Sequence, residues 1–281
     1  MKTRKKPFAV RMIQGITPIA EQLPAPLLEK YVSNLFLRPV KVKHPKSEQK
    51  FLSSAWMKKV RVGNHDIMTY EWGNGSKAVF LVHGWAGRAT QFRDMIDFLI
   101  DHDYRVTAFD LPSHGLSSGS KTSIVEIGTI MMELQKTLGH FESAITHSFG
   151  GICLLYARSL GFTVHNHAAI AAPAIPEELL NEFCQRINAT TKSKDALLRH
   201  IQNQFDRDFF EFGGVRLATE NANLNMLVVH DEDDREADFE HGVALAAAAN
   251  ARLIATKGLG HKRILRDPET IESVISWLKQ Q

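Results

Sequence analysis

The stretch Ala144-Ile145-Thr146-His147-Ser148-Phe149-Gly150-Gly151 runs directly into the apolar segment Ile152–Leu160. Its beginning, Ser143–Thr146, reads as a short buried strand and its end as a helix, so the chain must turn sharply at Ser148. A serine on such a turn is expected to have a strained backbone, and small residues two positions either side relieve the crowding. Gly150 and Gly151 meet that need on the helix side. On the strand side Thr146 stands where glycine is usual. Taken alone, the segment fits an ordinary strand-to-helix turn equally well. The surrounding sequence has to decide.

Outward from Ser148, strand-like and helix-like segments alternate. Trp56–Val62 and Asp66–Trp72 read as two strands joined across Gly63-Asn64. Ala78–Val82 is a short apolar run suited to a strand buried on both faces. Phe92, Met95, Ile96, Leu99 and Ile100 recur at helical spacing, and Arg105–Phe109 is the next strand. Ser123 and Glu126 form a capping-box pattern for a helix that Gly139 would end. His167–Ala172, Asn225–Val229 and Ala251–Thr256 complete the strands, with helices over about 237–249 and 268–280 after the last two.

Repeated β-α-β units of this kind imply an α/β fold: a mainly parallel eight-stranded sheet with helices on both faces. The interval 175–222 is too long for a simple crossover and has helical patterning of its own. It reads as a small helical cap inserted after a strand's carboxyl end, where ligand crevices lie. The expected domains are therefore 56–281, with that insertion, and a basic proline-interrupted extension over residues 1–55.

Two more tight turns follow apolar strands. In His83-Gly84-Trp85-Ala86-Gly87 a glycine-containing turn would let backbone approach a substrate carbonyl. The N–H groups of Trp85 and Phe149 would then form an oxyanion hole. His83 itself reads as structural. The other turn is Phe109-Asp110-Leu111-Pro112-Ser113-His114-Gly115-Leu116-Ser117.

Taken together, these segments resemble the α/β-hydrolase family, whose members carry HGxxG, D-x-x-x-H-G-x-S and G-x-S-x-G in that order. The resemblance covers roughly residues 60–281. It implies Ser148 as nucleophile, an acid after the seventh strand and a histidine base after the eighth. In His230-Asp231-Glu232-Asp233-Asp234-Arg235-Glu236-Ala237-Asp238, Asp234 fits a family register in which proline follows the acid by four residues, with Asp238 in its place. Asp233 is the alternative, and the remaining carboxylates read as a solvated acidic turn. His261, in Gly258-Leu259-Gly260-His261, is the expected general base.

Dehalogenase and epoxide hydrolase relatives use aspartate at the elbow, so Ser148 points instead to a serine hydrolase working through an acyl-enzyme. Carboxylic esters come first as substrates. Thioesters, amides, carbon–carbon bond hydrolysis and acyl transfer to another acceptor share the triad. A non-catalytic binding protein on the same scaffold is the rival from another class, and Thr146 is its best support. Apolar insertion residues such as Leu179, Phe183, Leu197 and Phe209 suit an ester with an apolar portion, or simply the underside of a cap. No cofactor or metal is expected, since His165 and His167 lack a third ligand at sensible spacing.

The net charge of +3 is too small to argue for nucleic acid. Its distribution says more: residues 1–61 hold 14 Lys/Arg and 3 Asp/Glu, a net +11, while the remainder is −8. Leu23, Leu27, Leu28, Tyr31, Leu35 and Phe36 give the extension apolar character, but prolines at 18, 24 and 26 break a single amphipathic helix. The expectation is that the extension packs on the acidic domain and is not a detachable membrane arm. Cys153 and Cys184 make no disulfide framework. The run after Lys2–Lys6, broken by Arg11 and Gln14, does not read as a signal peptide, and no segment approaches the ~20 apolar residues of a span. A cytoplasmic location is expected.

Overall fold

The computed structural model describes residues 7–42 and 45–281, so the basic run Lys2–Lys6 lies outside the described residues. Pro7, Pro24 and Pro45 stand at the N-caps of α1 (Phe8–Ala20), α2 (Ala25–Phe36) and α3 (Lys46–Leu52). There a missing N–H removes no helical hydrogen bond. Next come β1 (Trp56–Val62) and β2 (His65–Trp72). Val62 lies opposite His65, and Gly63 turns the hairpin at φ +52°.

The alternation that follows is β3 (Lys77–Val82), α4 (Arg93–Asp101), β4 (Tyr104–Phe109), α5 (Ile124–Leu138), β5 (Ser143–His147), α6 (Phe149–Ser159) and β6 (Asn166–Ile170). Three helices intervene, α7 (Pro176–Ile187), α8 (Thr191–Phe205) and α9 (Gly214–Glu220). The chain closes with β7 (Asn225–Asp231), α10 (Phe239–Ala249), β8 (Arg252–Thr256), α11 (Gly260–Arg263) and α12 (Pro268–Lys279).

All eight strands join one sheet in the order β1-β2-β4-β3-β5-β6-β7-β8. β2 is antiparallel to β1 and β4, and every other pairing is parallel. Period-two alternation assigns the two faces of β3. Val79 and Leu81 face a core with Met95, Ile96 and Leu99 of α4 and Ile271, Val274 and Leu278 of α12. Phe80 points the other way, stacks on Phe109 and Phe141 and meets Phe162 at a tilt.

α5 realises half of the expected capping box. The Ser123 hydroxyl accepts the Glu126 N–H, while Glu126 Oε1 pairs with His65 at 2.8 Å instead of reaching back.

Contacts divide the chain into two compact units, Met1–Arg38 with Ile175–Glu211, and Pro39–Ala174 with Phe212–Gln281. In the first, α1 packs against α7 and α2 against α8. Its Glu21 carboxylate accepts the Ser193 hydroxyl at 2.6 Å and the Thr190 N–H at 2.7 Å, and Phe36 meets Phe183 and Phe209 edge-on. These boundaries differ from 1–55 and 175–222. α3 belongs to the sheet unit, where Leu52 joins the core beside Trp72, and α9 packs there on α6 and α10.

What ties α3 to the sheet unit is a buried ion pair. Glu48 accepts from Nε and Nη2 of Arg88, the latter at 2.6 Å, and from the Thr90 hydroxyl at 2.7 Å. Both charges are almost wholly buried, so removing one strands the other in a low-dielectric site. Glu48→Ala is expected to lower unfolding free energy by about 3–5 kcal/mol. Chemical denaturation measures this, and a change below about 1 kcal/mol would show that the pair does not hold α3 in place.

Candidate active site

β5 ends at His147 and α6 begins at Phe149, leaving Ser148 as the joint at φ +52° and ψ −129°. A non-glycine residue there carries roughly 1–3 kcal/mol of strain, so its surroundings must hold it. Two glycines let them do so. A Cβ on Gly150 would stand 2.4 Å from the Val82 carbonyl oxygen, and one on Gly84 would stand 2.7 Å from Ser148 Cβ. Behind the joint, the Ser148 N–H donates to the Ile170 carbonyl at 2.9 Å.

Thr146 is accommodated from the other side. Its hydroxyl hydrogen-bonds His167 Nε2 at 2.8 Å in the buried sheet. A Cβ on Gly151 would come within 3.3 Å of that hydroxyl and 2.8 Å of Ala172 Cβ, so the second glycine opens the space Thr146 uses.

His261, at the start of α11, presents Nδ1 to Asp234 Oδ2 at 2.8 Å, both side chains buried. Oδ1 of Asp234 accepts the N–H groups of Glu236 and Ala237 at 2.8 and 3.2 Å. Burial works to raise the Asp234 pKa, but the His261 hydrogen bond and these N–H donors outweigh it and hold the carboxyl below the usual range. No hydrogen bond joins the Ser148 hydroxyl to His261. Their link is His147, whose Nε2–H donates to the His261 carbonyl at 2.8 Å with the rings 4.8 Å apart.

Asp233, the alternative acid, is not brought to His261. Asp231 was expected in a solvated turn and is instead fully buried. Its oxygens accept the Thr256 hydroxyl and the N–H groups of Asp233, Leu259 and Gly260 at 2.8–3.0 Å. It therefore clamps the loop bearing Asp234 to the loop bearing His261. The signal in the sequence is its place at the end of the apolar run Leu227–Val229, where a carboxylate would be sheltered.

The turn after β3 is held from beneath. His83 donates from Nδ1 to the Gly84 carbonyl and accepts the Leu111 N–H at Nε2, and His114 Nε2 accepts the Ala86 N–H. Asp110 accepts the Tyr70 hydroxyl, the Ala89 N–H and the Leu116 N–H. The N–H groups of Trp85 and Phe149 have no acceptor among the described residues, and Phe149, first in its helix, has none within it. Their half-buried rings meet edge-on at 5.4 Å. Among the described residues no group of three or more His, Cys, Asp or Glu is placed to hold a metal ion. Nor is any helix among them long and apolar enough to cross a membrane.

The sequence model of the alpha/beta hydrolase family matches residues 79–223, just over half of the chain. The chain belongs to the α/β-hydrolase family. No curated protein sequence matches this hydrolase. Solved structures resemble it in fold. An esterase from Pyrococcus furiosus is 17% identical, with a TM-score of 0.65 over 87% of this chain and 97% of that one. A carboxylesterase of the thaumarchaeon Nitrososphaera gargenis is 18% identical, with a TM-score of 0.60 over 79% and 98%. The thioesterase domain from the curacin biosynthetic pathway is 13% identical, with a TM-score of 0.60 over 81% and 99%.

Two buried histidines beside the Ser148 turn should make the folded protein less stable in acid. Burial pushes His147 down to about 3, reinforced by neighbouring His261, and burial pushes His167 down to about 3 as well. Unfolding releases both toward the ordinary histidine value of about 6.5, so between pH 6.5 and 3 the unfolded chain binds more protons. Their contribution to stability is complete above about pH 6.5 and is lost as pH falls toward 3. Unfolding at pH 5 should take up at least about two protons per molecule, read from the pH dependence of calorimetric melting. A melting temperature flat from pH 7 to 4 would contradict it.

Proposed function

We propose that this α/β-hydrolase is a serine hydrolase that cleaves carboxylic esters through an acyl-enzyme. The observation that carries the reading is the left-handed backbone of Ser148, held by Gly84 and Gly150 at the mouth of α6. Such a joint exposes the serine hydroxyl and brings it beside N–H groups that lack acceptors. The pairing of His261 Nδ1 with Asp234 supports it further, because it leaves Nε2 as the free ring nitrogen.

In the proposed reaction Ser148 Oγ attacks the ester carbonyl carbon while its proton passes to His261 Nε2. The carbonyl oxygen becomes an oxyanion that accepts the Trp85 and Phe149 N–H groups, donors that no protein acceptor among the described residues occupies. Collapse breaks the bond to the alcohol oxygen, which takes the proton from His261. Water then repeats the sequence on the acyl-enzyme and returns Ser148. Asp234, ionised and buried, fixes the imidazole tautomer and stabilises the imidazolium. The Trp85 and Phe149 rings offer the apolar portion of the substrate a wall beside the oxyanion site.

Thr146 gave the non-catalytic reading its support. Its hydroxyl is engaged by His167 and its space is supplied by Gly151, which removes the reason to expect a distorted elbow.

Labelling with a fluorophosphonate tests the proposal without a known substrate. Ser148→Ala should abolish labelling and reduce turnover of simple aryl esters by about 10⁴-fold or more. Asp234→Asn should slow labelling strongly and Asp233→Asn only slightly. Undiminished labelling of Ser148→Ala would refute the nucleophile, and the reverse ranking of the aspartates would move the acid to Asp233.

A further inference from the structure

The described residues include 14 large apolar side chains that are exposed, and six of them, Phe8, Met12, Ile16, Ile19, Leu23 and Leu27, fall between residues 8 and 27. This clustering separates them from ordinary scattered surface apolar residues. Phe8, Met12, Ile16 and Ile19 recur at spacings of four, four and three, which aligns them as one stripe along α1. Phe8 is 74% and Ile19 67% exposed. Thr17 and Ala20, on a different face of the helix, are buried. The unit built with α7 therefore needs only one side of α1, and a second apolar side is left over.

Charge points to what that side meets. Lys2, Arg4, Lys5, Lys6 and Arg11 are the only charged side chains before Glu21. Glu21 is buried and taken up by Ser193 and Thr190. Residues 2–20 thus carry five cations and no anion together with an apolar stripe, the combination that binds the interface of an anionic bilayer. At 13 residues α1 is about 20 Å long. That length suits lying in the interface and falls short of the ~20 residues of a span. A second copy would bring the same cations against these.

We propose that α1 is a peripheral membrane-binding element whose outer stripe seats in an anionic phospholipid bilayer, its binding strengthened by the net positive charge of residues 2–11. Pro18 lies inside α1 without ending it and Pro24 caps α2, so the prolines leave one short helix and only exclude a continuous arm across residues 8–36. The proposal is independent of the chemistry at Ser148, since its readout is adhesion and not turnover.

The test uses the full chain with vesicles of phosphatidylcholine alone and of phosphatidylcholine mixed with phosphatidylglycerol, at low and high salt. Sedimentation with the anionic vesicles only, reversed by salt, is the expected result. Met12→Glu with Ile19→Glu should weaken it by at least about tenfold through lost apolar burial, with the melting temperature and oligomeric state unchanged. Lys5→Ala with Lys6→Ala should weaken it by roughly 25-fold, at about fivefold for each cation near the surface. Failure of the unaltered protein to bind anionic vesicles, or binding indifferent to both pairs, would overturn the proposal. A lowered melting temperature in the glutamate pair would show that the chain itself covers the stripe. A dimer dispersed by that pair would assign it to a second copy. Either result overturns it as well.

Discussion

A serine at φ +52° has to be kept there by its neighbours, and here the constraint is the closeness of two strand ends. β3 and β5 are parallel partners with Val82 in register with Thr146, so their chains leave the sheet side by side. The turns touch at Gly84 and Gly150, where a methyl group would meet Ser148 or the Val82 carbonyl. The left-handed serine, the free N–H of Phe149 and the turn carrying Trp85 are therefore one geometric solution. The magnitudes allow it. Roughly 1–3 kcal/mol of backbone strain is small beside the loss of about 3–5 kcal/mol expected for truncating a single buried aromatic. Phe80, two residues before Val82 on β3, packs against three other rings.

Around that joint, polar side chains hold the loops in two ways. A neutral imidazole has one donor and one acceptor, and His83 and His114 spend both on backbone. Burial keeps each of these rings below the usual histidine pKa, so the donor and acceptor pattern stays fixed. A buried carboxylate instead collects several donors, as Asp110 does from three and Asp231 from four. Asp234 differs in one respect. One of its oxygens is satisfied by backbone and the other is given to an imidazole. Within the acidic run 231–238, that division distinguishes the candidate acid from the clamp beside it.

Much of this could be read from the sequence, for physical reasons. Strands buried on both faces must be short apolar runs, so the strands appeared within one or two residues of their expected ends. The elbow was legible only in company: Gly150 and Gly151 after a strand and a serine fit an ordinary turn as well, and the ordered turns after β3 and β4 decided the reading. Buried polar residues were not legible. Glu48, Asp231 and the solvated Glu232 are the same kind of residue in a sequence, and only the third dimension shows which ones collect donors. The capping box failed by half for a related reason: Glu126 found a better partner in His65, a residue far away in the chain.

The division into units was hidden for a different reason. An amphipathic pattern says that a face is covered but not by what. The insertion Ile175–Glu211 is shorter than the ~40 residues at which chains stop folding unaided. Its α7 and α8 must borrow surface, and they take it from α1 and α2. Leu28 and Val32 of α2 and Leu180, Leu197 and Ile201 of α7 and α8 are all buried, and the buried Glu21 carboxylate accepts the Ser193 hydroxyl. A four-helix unit needs one apolar side from each helix. α1 has two: the side bearing Thr17 and Ala20 is buried, and the stripe of Phe8, Met12, Ile16 and Ile19 stays exposed, so the packing of this unit does not account for it.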